Sequence, residues 1–376
     1  MVIFVSAMIK VFTKTAAYDY KTLKPIIFEM IDAMGEGLVP EQSRVLIKPN
    51  LLLPANPETA ILTHPHVVRA VAEYVLSKGA RPLIADSPAT GSFEKIMQEG
   101  GYYQALKDLD VDFKAFKKSV KIDIGKPFGR IEIAEEALEA DVVINLPKLK
   151  THTGMFLTLG VKNLFGCIVG LRKPKWHLRS GVDRDMFARL LVQIYRAVNP
   201  AITIVDGILA LEGQGPGKSG IPRHLGILAG GRDACAVDMA ICSVLGVDAD
   251  ELPTHKAAKI LGLAGDAVYI SGDFNIVQNF KLPDTAPLTM GPKPLQRFMR
   301  KHLLQRPEVD DLLCKLCGEC RKYCPAKAIS QEAETIDFDY DGCIRCYCCI
   351  EICPHGALRA TETAPGRVLR KLSILK

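Results

Sequence analysis

Eight cysteines near the C-terminus fall into two copies of one spacing. Cys314, Cys317, Cys320 and Cys324 follow C-x2-C-x2-C-x3-C and precede Pro325; Cys343, Cys346, Cys349 and Cys353 repeat the pattern and precede Pro354. Thiolates so spaced grip three corners of a [4Fe-4S] cube, and the fourth cysteine of each run crosses to the other cube. The expected cofactors are therefore two [4Fe-4S] clusters, one held by Cys314, Cys317, Cys320 and Cys353, the other by Cys343, Cys346, Cys349 and Cys324. Structural zinc would favour paired C-x-x-C or mixed Cys/His ligands, and disulfides would need an oxidising compartment. The chemistry on offer is one-electron relay. Cys348, beside Cys349, reads as a packed spare thiol rather than a ligand.

A second group of polar residues falls where short apolar strands end. Lys48-Pro49-Asn50 follows one strand, Asp86-Ser87 another, Asn145 to His152 a third, and Asp206-Gly207 a fourth that leads into Glu212-Gly213-Gln214-Gly215-Pro216-Gly217. Parallel α/β sheets bind ligands at the carboxyl ends of their strands, so these loops point to a single pocket. Lys148, Lys150, His152, Lys162 and Asn163 would draw an anion, phosphate or carboxylate, into it. The candidate ligand-binding set is Lys48, Asn50, Asp86, Ser87, Lys148, Lys150, Asn163, His177, Asp206, Gly213 and Gly215. His152 is the candidate general acid, and Lys162 the candidate for stabilising negative charge that grows on reduction. The glycine-rich loop at 213–217 matches neither the Walker pattern nor G-x-G-x-x-G and reads equally as a structural turn. Trp176 reads as packing or as a platform for a flat ligand. Cys167 reads as a buried small residue in preference to an activated thiol. The histidines have no recognisable metal-ligand spacing.

The elements that must position these groups follow from periodicity. Ile9–Phe12, Val45–Lys48, Pro82–Asp86, Val142–Asn145, Ile202–Asp206, Leu225–Ala229 and Val268–Gly272 read as strands. Helices follow at Leu23–Ile31, with Thr22 as cap, after Pro65, over Phe187–Val198 and over Asp233–Leu245. Strand, helix, strand in this spacing means βαβ units and a mostly parallel sheet. Asp112–Phe116 reads as a further strand, and Val120–Ile124 with Arg130–Ile133 as strands about a tight turn. The fold class is α/β with a small C-terminal α+β two-cluster ferredoxin domain. Residues 1–280 form the ligand-binding body, 281–311 a Pro-rich basic linker with one helix, 312–360 the ferredoxin unit and 361–376 a basic tail.

A chain of 376 residues has room for several domains. Twelve cysteines, eight of them in the cluster pattern, fit a reducing, cytoplasmic setting. The apolar start, Met1 to Ala7, reads as a first strand, or as a misassigned start with Met8 the true one, rather than a signal peptide, and no apolar run is long enough to span a membrane. The formal charge of +6 counts the thiols as neutral; two cubes at roughly −2 each bring the loaded protein to about +2. Bulk charge therefore does not point to nucleic acid. Local charge is sharper: seven Lys and Arg lie between Lys148 and Arg179, with no acid before Asp183.

The segments Lys48-Pro49-Asn50, Leu146 to His152, Gly160 to Gly166 and Asp206-Gly207, together with the tail, resemble the domain of unknown function 362 family, across about residues 35–245. Many members of that family are described as iron–sulfur cluster-binding proteins. The resemblance implies pocket roles for Lys48, Lys148, Lys150, His152, Lys162 and Asn163 and names no substrate. The reading is an oxidoreductase of ferredoxin type, passing electrons from a separate low-potential donor through its clusters to an anionic small molecule or cofactor in the α/β body. The alternative is a non-catalytic electron-transfer subunit or cofactor-handling factor. A homo-oligomer is compatible with either.

Overall fold

The computed structural model describes residues 9–170, 172–180, 183–283, 295, 298–299, 302–332 and 334–368. The expected strand at Met1–Ala7, most of the linker helix and the end of the basic tail lie outside these residues.

The strands of the body are β1 (Lys10–Thr15), β2 (Arg44–Pro49), β3 (Arg81–Asp86), β4 (Asp112–Ala115), β5 (Ser119–Asp123), β6 (Arg130–Ala134), β7 (Val142–Leu146), β8 (Lys148–His152), β9 (Phe156–Thr158), β10 (Ile202–Gly213), β11 (Gly220–Gly231) and β12 (Tyr269–Gly272). They form one mixed sheet in the order β12-β1-β11-β10-β7-β2-β3-β4, with β8 and β9 attached beside β10 and β5–β6 as a separate hairpin. The run from β10 through β7, β2 and β3 to β4 is parallel, as the βαβ spacing predicts. Alternation along β2 explains how both faces are covered. Val45 and Ile47 enter the core with the helices Tyr20–Met34 and Pro65–Ser77, while Leu46 enters the opposite core with the helix Arg184–Val198.

Four expectations are corrected by the backbone. The first helix is capped by Asp19, whose carboxylate accepts the Thr22 N–H at 3.1 Å. Lys148 to His152 is a strand rather than a loop, pairing with β10 and β9. Strand β10 does not end at Asp206; it continues through an irregularity between Gly207 and Leu209 to Gly213 and returns antiparallel as β11. Residues 213–220 are therefore a hairpin turn. Finally, Arg306–Val309, expected in the linker, is β13 and pairs with β16 (Leu358–Thr361).

The ferredoxin unit is completed by the hairpin β14 (Ile329–Glu332) and β15 (Thr335–Phe338) and by two short helices, Glu319–Tyr323 and Cys348–Ile352. It seats directly on the body. Ser219 Oγ donates to the Leu358 carbonyl at 3.1 Å and Thr90 Oγ1 to Glu319 Oε2 at 3.1 Å. Gly217 approaches the Glu351 carbonyl so closely that a Cβ would stand 3.0 Å from it. Among the described residues no helix is long and apolar enough to cross a membrane.

Candidate functional site at the junction of the body and the cysteine domain

The eight motif cysteines gather around two separate spaces. Cys314, Cys317, Cys320 and Cys353 surround one; Cys324, Cys343, Cys346 and Cys349 surround the other. The fourth cysteine of each run has crossed, as its spacing requires. Backbone N–H groups point at both crossing sulfurs, Ala328 to Cys324 Sγ and Ala357 to Cys353 Sγ, each at 3.3 Å. Such donors favour a thiolate. Four thiols about each space, with backbone donors on the sulfurs, fit iron–sulfur cubes. Among the described residues no three Cys, His, Asp or Glu side chains are placed to share a single metal ion. Cys348 is buried and lies outside both rings of ligands, as expected of a spare thiol.

A cavity of about 90 Å³ lies where the two domains meet. Lys48, Asn50, Asp86, Ser87, Lys162, Asn163 and His177, all candidates from the sequence, line it from the body. Tyr323, Cys348, Glu351 and Ile352 close it from the cysteine domain. Lys48 and Asp86 are buried and paired at 3.0 Å. Asp86 also accepts the Ser87 N–H at 2.8 Å and the Leu51 N–H at 3.0 Å, which holds the loops after β2 and β3 together. Gly166 must lack a side chain, because a Cβ there would collide with both members of this pair.

Lys162 and Asn163 are aimed by the turn Gly160–Asn163. Its first two N–H groups are held by Asp238, at 2.6 and 3.1 Å. Asn163 then donates to Asn145 Oδ1 at 2.8 Å and accepts from Asn50 Nδ2 at 2.9 Å. Lys162 differs from Lys48: among the described residues no hydrogen bond or ion pair engages its ammonium. Burial lowers its pKa, and the Glu351 charge opposes that shift.

Two functional residues escaped sequence reasoning. Lys173 lines the cavity, donates to the Ser87 carbonyl and is brought down to about 8 by burial. Its signal was the basic run Arg172 to Lys175. Glu351 sits between two cluster cysteines, where the motif drew attention away from it. Burial would raise its pKa, but His152 and Lys162 outweigh burial and hold the carboxyl below its usual range. The cavity thus carries three lysines, Lys48, Lys162 and Lys173, against two carboxylates, Asp86 and Glu351. A bound anion would complete that balance.

The remaining candidates are not in the cavity lining. Lys148 and Asp206 are both fully buried and pair at 2.7 Å, with the Tyr18 hydroxyl bridging them. They satisfy each other instead of facing a ligand. Lys150 is spent on Asn50 Oδ1 at 2.6 Å and the Ile61 carbonyl at 2.8 Å. His152 Nδ1 accepts the Gly154 and Met155 N–H groups at 3.0 and 3.1 Å, which leaves the proton on Nε2, 2.6 Å from Glu351 Oε1. Burial lowers its pKa further. It faces Glu351 rather than the cavity. Gly213 and Gly215 belong to the hairpin turn; Gly215 packs on the Thr151 backbone, where no Cβ would fit. His177 does reach the cavity, stacked on Phe187 at 4.3 Å, and burial takes it down to about 4. Trp176 is packing, edge-on to Phe128. Burial pushes the Cys167 thiol up to about 12, which removes it as a nucleophile.

Residues 45–243 match the family described as domain of unknown function (DUF362). The chain belongs to that family. Residues 306–354 match a 4Fe-4S dicluster domain, so the C-terminal part is an iron–sulfur electron-transfer module. A thylakoid-associated protein of Synechocystis, sll1697, is 38% identical over 286 residues, covering 74% of this chain and 88% of that protein. Hydrogenase-4 component A of Escherichia coli is 38% identical over 56 residues, 14% of this chain and 27% of that one. The lactate racemase apoprotein from Thermoanaerobacterium thermosaccharolyticum superposes with a TM-score of 0.39 at 13% identity, over 54% of this chain and 50% of that chain.

Proposed function

We propose that this DUF362 member is a cytoplasmic oxidoreductase that delivers electrons to an anionic ligand held at the domain junction. Cys314, Cys317, Cys320 and Cys353 would hold one [4Fe-4S] cluster, and Cys324, Cys343, Cys346 and Cys349 a second; when bound, these supply one-electron transfer from a low-potential donor. The observation that carries the reading is the composition of one cavity: its far wall is the helix Cys348–Ile352, and its near wall holds Lys48, Lys162 and Lys173.

The residues of the chain divide the work. Lys162, without a partner among the described residues, binds the anion and stabilises charge that grows on it. Lys48 and Asp86 keep the two loops in register. Lys173, titrating near neutrality, holds the proton that His152 was expected to supply. His177 and Phe165 limit water on one side. The similarity to a hydrogenase component, over 56 residues, favours a second reading in which the chain is an electron-transfer subunit without its own catalysis.

The test is to purify the protein anaerobically, release its small molecules with acid and identify them by mass. An anion retained stoichiometrically by wild type and lost from Lys162→Ala, with the iron content of both unchanged, supports the cavity assignment. Retention by both proteins, or by neither, refutes it.

A further inference from the structure

A second concavity lies behind the helix Arg172–Ser180. Lys173, Pro174 and His177 face the redox cavity. Arg172, Lys175, Trp176 and Arg179, spaced i, i+3, i+4 and i+7, face a groove of about 580 Å³ on the other side, which the β5–β6 hairpin completes with Lys121, Arg130 and Glu132. Its size is that of a small-molecule site, and its charge is one-sided. Glu132, the carboxylate of the lining, is spent on Arg172 at 3.0 Å. Asp123, opposite Arg130 across the hairpin, turns to the Gly125 N–H at 2.8 Å. Lys121, Arg130, Lys175 and Arg179 have no carboxylate partner among the described residues.

Four cations lining one space, without carboxylate partners among the described residues, make a field that favours a multivalent anion. The Arg179 guanidinium is already oriented, 4.4 Å from the Trp176 ring centroid, so its planar fork is preset for phosphate oxygens. The indole itself is 7% exposed and has Arg179 over its face, so it is not open to a base or other ring. Recognition here reads charge. A short phosphate chain offers more oxygens to four cations on two elements than a lone phosphate does.

We propose that this groove binds a di- or triphosphate group, carried by a soluble nucleotide-like or polyphosphate ligand. It uses none of the side chains assigned to the anion in the redox cavity, so it stands or falls separately from that reading. Gly170 borders both spaces, and the groove therefore opens at the rim of the redox cavity.

The experiment is calorimetric titration of the anaerobically purified full chain with sodium tripolyphosphate, ATP and orthophosphate at one fixed ionic strength. Tripolyphosphate and ATP should bind alike, and about tenfold or more tighter than orthophosphate. Arg130→Ala/Lys175→Ala should weaken tripolyphosphate by about tenfold or more with an unchanged circular dichroism spectrum, since both side chains are exposed. Lys121→Gln, also at an exposed position, provides a second, milder variant. No binding of tripolyphosphate, equal affinity for orthophosphate, or undiminished affinity in the variants overturns the proposal. So does sedimentation of the protein with phosphatidylglycerol vesicles that free tripolyphosphate fails to reverse, which would make the groove a lipid-facing surface.

Discussion

Lys148 and Asp206 give the sharpest test of which basic residues are structural. Their charged atoms are 2.7 Å apart with both side chains at 0% exposure. At that separation the attraction is about 6 kcal/mol for an effective dielectric near 20, before the cost of desolvation. The two partners are not equally supported. Without Lys148, Asp206 keeps three donors: the Tyr18 hydroxyl at 2.7 Å, the His64 N–H at 2.8 Å and the Ile208 N–H at 3.3 Å. Without Asp206, Lys148 keeps the Tyr18 hydroxyl alone, at 2.7 Å. Breaking a buried pair costs about 3–5 kcal/mol when the survivor is left uncompensated. Asp206→Asn should therefore lie in that range, and Lys148→Met should cost less, about 2–3 kcal/mol. The double variant should cost less than the sum of the singles. The assay is anaerobic urea unfolding of the body followed by far-UV circular dichroism. A larger cost for Lys148→Met than for Asp206→Asn, or a cost under about 1 kcal/mol for either, would refute the asymmetry.

Three further outcomes follow from the same geometry. Cys353→Ser should remove roughly four of eight irons while leaving the paramagnetic signal of the cluster on Cys343, Cys346, Cys349 and Cys324; loss of that signal in place of the other would mean that the ligands do not cross. Lys173 should react with a trace amine label with a midpoint near pH 8, as burial dictates, and a midpoint in the ordinary lysine range would remove it as the proton-holding group. Burial takes the Asp238 carboxyl from 3.8 to about 8. The folded chain therefore holds a proton that the unfolded chain has released, and Asp238 makes stability fall as pH rises through that window. Asp238→Asn should flatten this part of the stability profile, and an unaltered slope would contradict the assignment.

What could be read from residue order was what is local. The cysteine spacing specifies its own crossed grouping, and the continuous apolar run Val45–Ile47 marks a strand covered on both faces, as in a parallel sheet. The site was legible where a strand ends close to its polar residues, as at Lys48-Pro49-Asn50 and Asp86-Ser87. It misled at Asp206, because the apolar run Ile208 to Leu211 carries the strand past a residue that resembled a terminus. Lys148 looked like a ligand-binding cation because its counter-charge is 58 residues away. His152 looked free to face a ligand because its partner, Glu351, lies far along the chain. Glu351 was hidden inside a motif whose cysteines explained the segment without it, although it is the carboxylate through which the cysteine domain meets the lysine loops.

Electron flow to the junction is tested most directly by a single-turnover experiment. The protein, stripped of its released anion and reduced with stoichiometric dithionite, is mixed anaerobically with that anion while the iron–sulfur absorbance is followed. The account predicts return of the oxidised absorbance with wild type, in proportion to the anion added, and a much slower return with Lys162→Ala. Clusters that stay reduced in wild type at saturating anion would contradict it.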